Sequence, residues 1–254
     1  MPLETLDAGL LAGPEMGLGL QQAVLEQVGA GERGPTALLW RSPRYVAVTR
    51  PETRLAGFAE AARAARRLGF PVLVRNSGGG AVAANEGSLS FSLTLPVGDL
   101  RQGLYERYAE GVELVVAALR RLGVAAEGGE VEGEFCPGAY SVRSGGARGV
   151  KHAGLAQRVT RRAARLEALV LAERTAELVP VLELVYAALG RPFRPGSVGD
   201  LPSGALGVAG ALKAEVRERY GGRERGLDAA TLERARSLAA SPLWRPAAED
   251  ARGG

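Results

Sequence analysis

Pro71-Val72-Leu73-Val74-Arg75-Asn76-Ser77-Gly78-Gly79-Gly80-Ala81-Val82 joins a β-prone run to three consecutive glycines. Val72 to Arg75 reads as a strand opened by Pro71. The Asn76 to Gly80 segment that follows reads as a loop. Without Cβ atoms a glycine triplet lets backbone come close to a ligand and present its N–H groups to an anion or carbonyl. The spacing also suits a flexible hairpin turn. It is neither the Walker pattern, since no Gly-Lys-Ser/Thr follows, nor the spaced glycines of a dinucleotide fingerprint.

On either side the chain alternates between helical and extended periodicities. Met16, Leu20, Ala23, Val24 and Val28 recur at helical spacing behind Pro14, which suits a first turn. Leu38 to Trp40 and Tyr45 to Val48 are short β-prone pieces. Leu55, Phe58, Ala62, Ala65 and Leu68 mark a helix that Gly69 stops. From Leu89 to Leu95 apolar residues alternate with Ser90, Ser92 and Thr94, the pattern of a half-buried strand. Asp99 and Gln102 form a capping box for an amphipathic helix running from Leu104 to Leu122. Glu132 to Val142 and Val150 to Gln157 read as strands around a Ser144-Gly145-Gly146 turn, and Leu166 to Leu171 as another. Helical pattern resumes from Glu173 to Leu189 and again over Val208 to Tyr220 and Leu227 to Ala240. This order predicts a mixed α+β or α/β domain with a central β-sheet and peripheral helices. Residues 1–190 form the main unit, and 191–254 are a helical extension packed on it.

Composition narrows the function. At 254 residues, 46% of them hydrophobic, the chain can bury a large core, and its mean hydropathy of −0.01 is that of a globular protein. No apolar run approaches a bilayer span and the N-terminus lacks a secretory plan, so a cytoplasmic, membrane-free enzyme is expected. One cysteine and one histidine make neither a disulfide nor a zinc cluster, so no metal is expected. A net charge of +4, arginines scattered among glutamates and few aromatics argue against nucleic acid.

Of the 32 basic residues only Lys151 and Lys213 are lysine. A scarce lysine in an arginine-rich chain suggests a place where a compact ammonium with an adjustable pKa is needed. Lys151 lies in Gly149-Val150-Lys151-His152-Ala153-Gly154, fifteen residues after the sole cysteine, in Glu134-Phe135-Cys136-Pro137-Gly138-Ala139-Tyr140. A lone cysteine is commonly a small buried hydrophobe. Pro137 and Gly138, however, would end regular pairing and expose the thiol. A nearby ammonium would favour the thiolate and could stabilise an acyl oxyanion. His152 is the obvious general base, but on a strand it faces opposite to Lys151.

Val74-Arg75-Asn76-Ser77-Gly78-Gly79-Gly80-Ala81-Val82 and Lys151-His152-Ala153-Gly154-Leu155-Ala156-Gln157-Arg158 together resemble the superfamily of lipoate ligases, biotin ligases and octanoyltransferases, over about residues 15 to 190. The resemblance implies the catalytic-domain fold of those enzymes. It also implies an acyl pocket lined by Arg75, Asn76, Ser77, Gly78, Gly79, Gly80 and Ala81, with Gly138, Tyr140 and Gly154 as further substrate-binding positions, and a Lys151 that meets the acyl carbonyl. His152 stands where the family usually has an aliphatic residue, and Ala84-Asn85 where a histidine or aspartate is common.

Cys136-Pro137-Gly138 with Tyr140 looks most like the amidotransferases that move octanoyl groups from the glycine-cleavage H protein to lipoyl domains of 2-oxoacid dehydrogenases. In that case Cys136 is the nucleophile, an acyl-enzyme thioester forms and no cofactor is required. Transfer from octanoyl acyl-carrier protein to the H protein, an ATP-dependent ligase and a non-catalytic acyl-binding module are the alternatives.

Overall fold

The computed structural model describes residues 3–99 and 103–246. In chain order these form β1 (Glu4–Leu10), α1 (Pro14–Ala30), β2 (Thr36–Arg41), β3 (Tyr45–Thr49), α2 (Phe58–Arg67), β4 (Val72–Arg75), β5 (Val82–Ala84), β6 (Ser88–Pro96), α3 (Leu104–Arg121), β7 (Glu127–Gly128), β8 (Ser141–Ser144), β9 (Val150–Val159), β10 (Ala163–Leu171), α4 (Val179–Ala188), α5 (Gly204–Tyr220), β11 (Arg223–Arg225) and α6 (Ala229–Ala239). The expected class is observed: a mixed α+β protein built on a large central sheet.

Eight strands lie in the order β11-β1-β2-β6-β10-β9-β8-β7, parallel across β11-β1-β2 and antiparallel from β2 to β7. A second sheet, β4-β3-β5, holds the strand that feeds the glycine loop. Each face of the large sheet has its own core. Leu38 and Trp40 of β2 join a cluster with α1, α2, α4 and the small sheet. Their alternates Ala37 and Leu39 join a second cluster with α3 and α5. This period-two division between two covered faces is what strand geometry requires.

β6 shows where the expectation of a half-buried strand fails. Leu89, Phe91 and Leu93 face one core, but Ser90, Ser92 and Thr94 are buried as well, in a strand that α1 packs against. The small side chains of this face fit beneath a helix. The expected strand over Glu132 to Val142 is also corrected. Pairing begins only at Ser141, and the preceding residues form an irregular loop in which Cys136 takes a left-handed conformation, φ 44°. Of the capping box, Gln102 lies outside the described residues; α3 follows Gly103, itself left-handed at φ 73°. Strands β1, β5, β7 and β11 had no sequence counterpart.

Past residue 191 the chain packs back on the sheet. α5 adds Val208, Leu212 and Val216 to the α3 core, and α6 lies along α1. No helix among the described residues is long and apolar enough to cross a membrane.

Candidate active site

Three segments meet at the thiol: the glycine loop after β4, the loop before β8, and β9. Cys136 Sγ accepts from the backbone N–H of Gly80 at 3.1 Å and lies 3.6 Å from Nη2 of Arg75, which also donates to Gly80 O at 2.7 Å. Gly79 is left-handed at φ 98°, and a Cβ there would sit 2.7 Å from Sγ and 2.8 Å from Arg75 Nη2. A side chain at this position is excluded by both conformation and space. The triplet is therefore a cradle for the sulfur, and the hairpin-turn alternative falls away.

Lys151 converges on the same loop, but on its backbone. The ammonium, fully buried, donates to Glu134 Oε1 at 3.0 Å, Phe135 O at 2.9 Å and Cys136 O at 3.0 Å. It also lies 4.7 Å from the Phe135 ring centroid. An ammonium has three N–H donors, and all three are engaged. Burial draws the Lys151 pKa below the ordinary lysine range, while Glu134 and then Cys136 oppose the shift. Glu134 is itself buried, accepting from Ser141 Oγ at 2.6 Å and Val131 N at 2.9 Å. Glu134 and Lys151 together tie the ends of the cysteine loop by charged hydrogen bonds, which are strong where water is excluded.

The β8–β9 register slips between Val142 and Arg143, which pair with Ala153 and Lys151, so His152 is the extra residue of a bulge. Bulges re-aim side chains. His152 does not line the space at the thiol: its Nε2 shares a 2.8 Å hydrogen bond with Ser144 Oγ, and burial lowers its pKa.

A narrow cavity opens beside Cys136; with the open solvent at its mouth the space amounts to about 650 Å³. Leu18, Trp40, Val82, Phe135, Leu155 and Leu169 give it apolar walls, and Arg75, Asn76, Ser77, Lys151 and Gly154 also line it. From β6 it is Ser90, not the leucine face, that reaches the wall. Gly78, Gly79, Gly138 and Tyr140 instead line a second groove, which shares Cys136, Gly154 and Leu155 with the first. Ala81 contributes backbone alone: its N–H donates to Glu52 Oε1 at 2.9 Å and its carbonyl accepts from the Tyr186 hydroxyl at 2.8 Å.

Several residues of the site escaped the sequence reading. Tyr186 on α4 accepts from the Cys136 N–H while donating to Ala81, so one phenol joins the two loops; burial raises its pKa. Glu52 pairs with Arg191 and holds Thr49 N at 2.9 Å. Glu167 accepts from Ser77 Oγ and from Arg165 Nε at 2.9 Å, and Arg165 Nη2 donates to Asn76 Oδ1 at 2.9 Å. Only Glu134 had a sequence cue, its place two residues before the cysteine.

Residues 13–173 match the family model described as the lipoyl protein ligase A/B catalytic domain. An octanoyl-[GcvH]:protein N-octanoyltransferase of Geobacillus kaustophilus is 33% identical over 153 residues, 60% of this chain and 53% of that protein. One of the same name from Bacillus velezensis is 30% identical over 199 residues, 78% of this chain and 65% of its own length. The chain thus spans less than two thirds of either relative. A crystal structure of lipoate-protein ligase A bound with ATP superposes with a TM-score of 0.74 at 22% identity, covering 94% of this chain and 93% of that one, a likeness of fold. With the motif match running from the start of α1 through the glycine loop and the Lys151 strand, this chain belongs to the lipoyl protein ligase A/B catalytic domain family.

Proposed function

We propose that this protein is an acyltransferase of protein lipoylation: it carries an octanoyl group as a thioester on Cys136 and delivers it to a lysine of a lipoyl-domain protein. The observation that carries this reading is the seat of the sulfur, between the Gly80 N–H and the Arg75 guanidinium at the edge of an apolar-walled cavity. Arg75, Lys151 and Arg165 surround that cavity with three positive charges, against the carboxylates Glu134 and Glu167.

The donor is an octanoylated carrier protein, either the glycine-cleavage H protein that the relatives' names contain or an acyl-carrier protein. With a lysyl amide as donor, sulfur bonds to the acyl carbon, the C–N bond breaks and the proton of the thiol leaves on the departing amine. In the second half the acceptor amine forms the new C–N bond, the C–S bond breaks and the proton returns to sulfur. The exchange of one amide for another needs orientation and charge stabilisation, not an energy source. Arg75 and the Gly80 N–H stand nearest the reacting atoms. Lys151 acts as a positioning residue through the carbonyls of Phe135 and Cys136. The cavity takes the acyl tail, where at roughly 0.8 kcal/mol per buried methylene an eight-carbon chain gains about 5 kcal/mol. Residues 1–190 are the catalytic unit and 191–254 its brace.

Mass spectrometry of the protein after incubation with an octanoylated donor tests this. One octanoyl adduct on the Cys136 peptide is expected, chased off by a lipoyl-domain acceptor and absent from Cys136→Ala. Transfer that survives Cys136→Ala would sink the covalent route.

A further inference from the structure

Cys136 borders two spaces, and the acyl cavity accounts for only one. The second is the outer groove, about 490 Å³ with its open mouth. Its near wall is glycine: Gly78, Gly79 and Gly138. On its rim Tyr108 of α3 and Tyr140 lie ring on ring, centroids 4.0 Å apart and 7° from parallel. Tyr108 is further held by a hydrogen bond involving the Gln157 backbone. The groove lining contains no charged side chain. A lining of glycines with a stacked aromatic pair suits an unbranched alkyl stem, whose methylenes pack against the rings.

We propose that this groove is the passage for the lysyl arm of the carrier proteins, with Tyr108 and Tyr140 as its specificity-determining wall. The acyl tail and the arm then occupy two spaces that meet at the sulfur. The proposal rests on the thioester reading above and adds a geometric reason for it. When the donor arm leaves and the acceptor arm enters, the tail stays in its cavity, and with a lysyl amide as donor both arms are aminobutyl stems, so one groove serves both half-reactions.

Gly138→Leu tests the passage. Its φ is outside the left-handed region and a Cβ there meets nothing within 4 Å, so the fold accepts a side chain that projects into open space. The enzyme is first acylated with p-nitrophenyl octanoate. Release is then followed with two nucleophiles, a lipoyl-domain acceptor and hydroxylamine, which is small enough to pass a narrowed groove. Release to the lipoyl domain is expected to fall about 100-fold, the scale of a misplaced reactant, and release to hydroxylamine less than about threefold. In a second measurement, Tyr108→Ala raises KM for the lipoyl domain about tenfold, whereas Tyr108→Phe keeps it within about twofold because the ring stays. Equal losses with both nucleophiles, no loss with either, or equal effects of the two Tyr108 variants would overturn the assignment. Absence of any adduct on wild-type Cys136 would instead refute the thioester reading itself.

Discussion

Cys136 is held in a backbone conformation that L-residues avoid, at φ 44°, and the restraint comes from outside the residue. Its carbonyl is taken by Lys151, its N–H by Tyr186 and its sulfur by Gly80. A left-handed non-glycine residue costs about 1–2 kcal/mol. Cys136→Gly is therefore expected to be about 1 kcal/mol more stable than Cys136→Ala, both being inactive. Equilibrium denaturation measures the difference; equal stabilities would mean that the conformation carries no strain. His152 provides a second residue-level test, because it is the only histidine. Burial lowers its folded pKa below the ordinary 6.5. Between the two values the unfolded chain binds a proton that the folded chain does not, so stability falls as pH drops below about 6.5. His152→Gln should flatten that slope below about pH 6.5, as read by denaturant midpoints across the range. An unaltered slope would show that His152 does not titrate in the window.

At the scale of elements, the site is two loops stapled by α4. Tyr186→Phe removes the hydroxyl shared by Cys136 N–H and Ala81 O and leaves both groups in a buried setting, at about 1–3 kcal/mol for each unmet partner. A lowered Tm and slower acylation of Cys136 are expected together, and a variant with normal acylation would show that the staple does not set the thiol. The glycine loop was legible as either a close backbone approach or a turn, and the place of Gly79 against the sulfur decides between them. The meeting of Cys136 and Lys151 was legible because both residue types are scarce in this chain. The staple was not, since Tyr186 lies 50 residues from Cys136 and 105 from Ala81 and sits in an apolar helix whose pattern a tyrosine fits as well as a leucine. The cysteine loop was misread as a strand for a related reason. Val131 and Phe135 are buried like strand residues, yet their carbonyl and amide partners are the Glu134 and Lys151 side chains, not a neighbouring ladder. β5 and β11, three residues each, carry too little alternation to stand out, and the parallel pairing of β1 with β2 and β11 depends on contacts made only after folding.

Across the whole molecule, one long helix links the catalytic sheet to the C-terminal segment. α1 covers the large sheet on one side and α6 on the other, and Gly19 is where the helices touch: a Cβ there would stand 2.4 Å from Ala235 O. Glycine to alanine inside a helix ordinarily stabilises by about 0.5–1 kcal/mol. Here the sign is inverted, and Gly19→Ala is expected to cost about 1–3 kcal/mol through overpacking. A thermal melt decides it, and a stabilised variant would mean that α6 yields readily. Arg33 reinforces the same seam, reaching Glu4 at 2.6 Å, Thr231 Oγ1 at 2.9 Å and also Asp228. The bridge made by Tyr186 sets an order of events during synthesis. The ribosome adds the sulfhydryl fifty residues ahead of the phenol that fixes its amide. A nascent chain carrying Cys136 therefore lacks the fastening that aims it until Tyr186 has emerged and docked, so at least fifty further residues must be made before the reactive geometry exists.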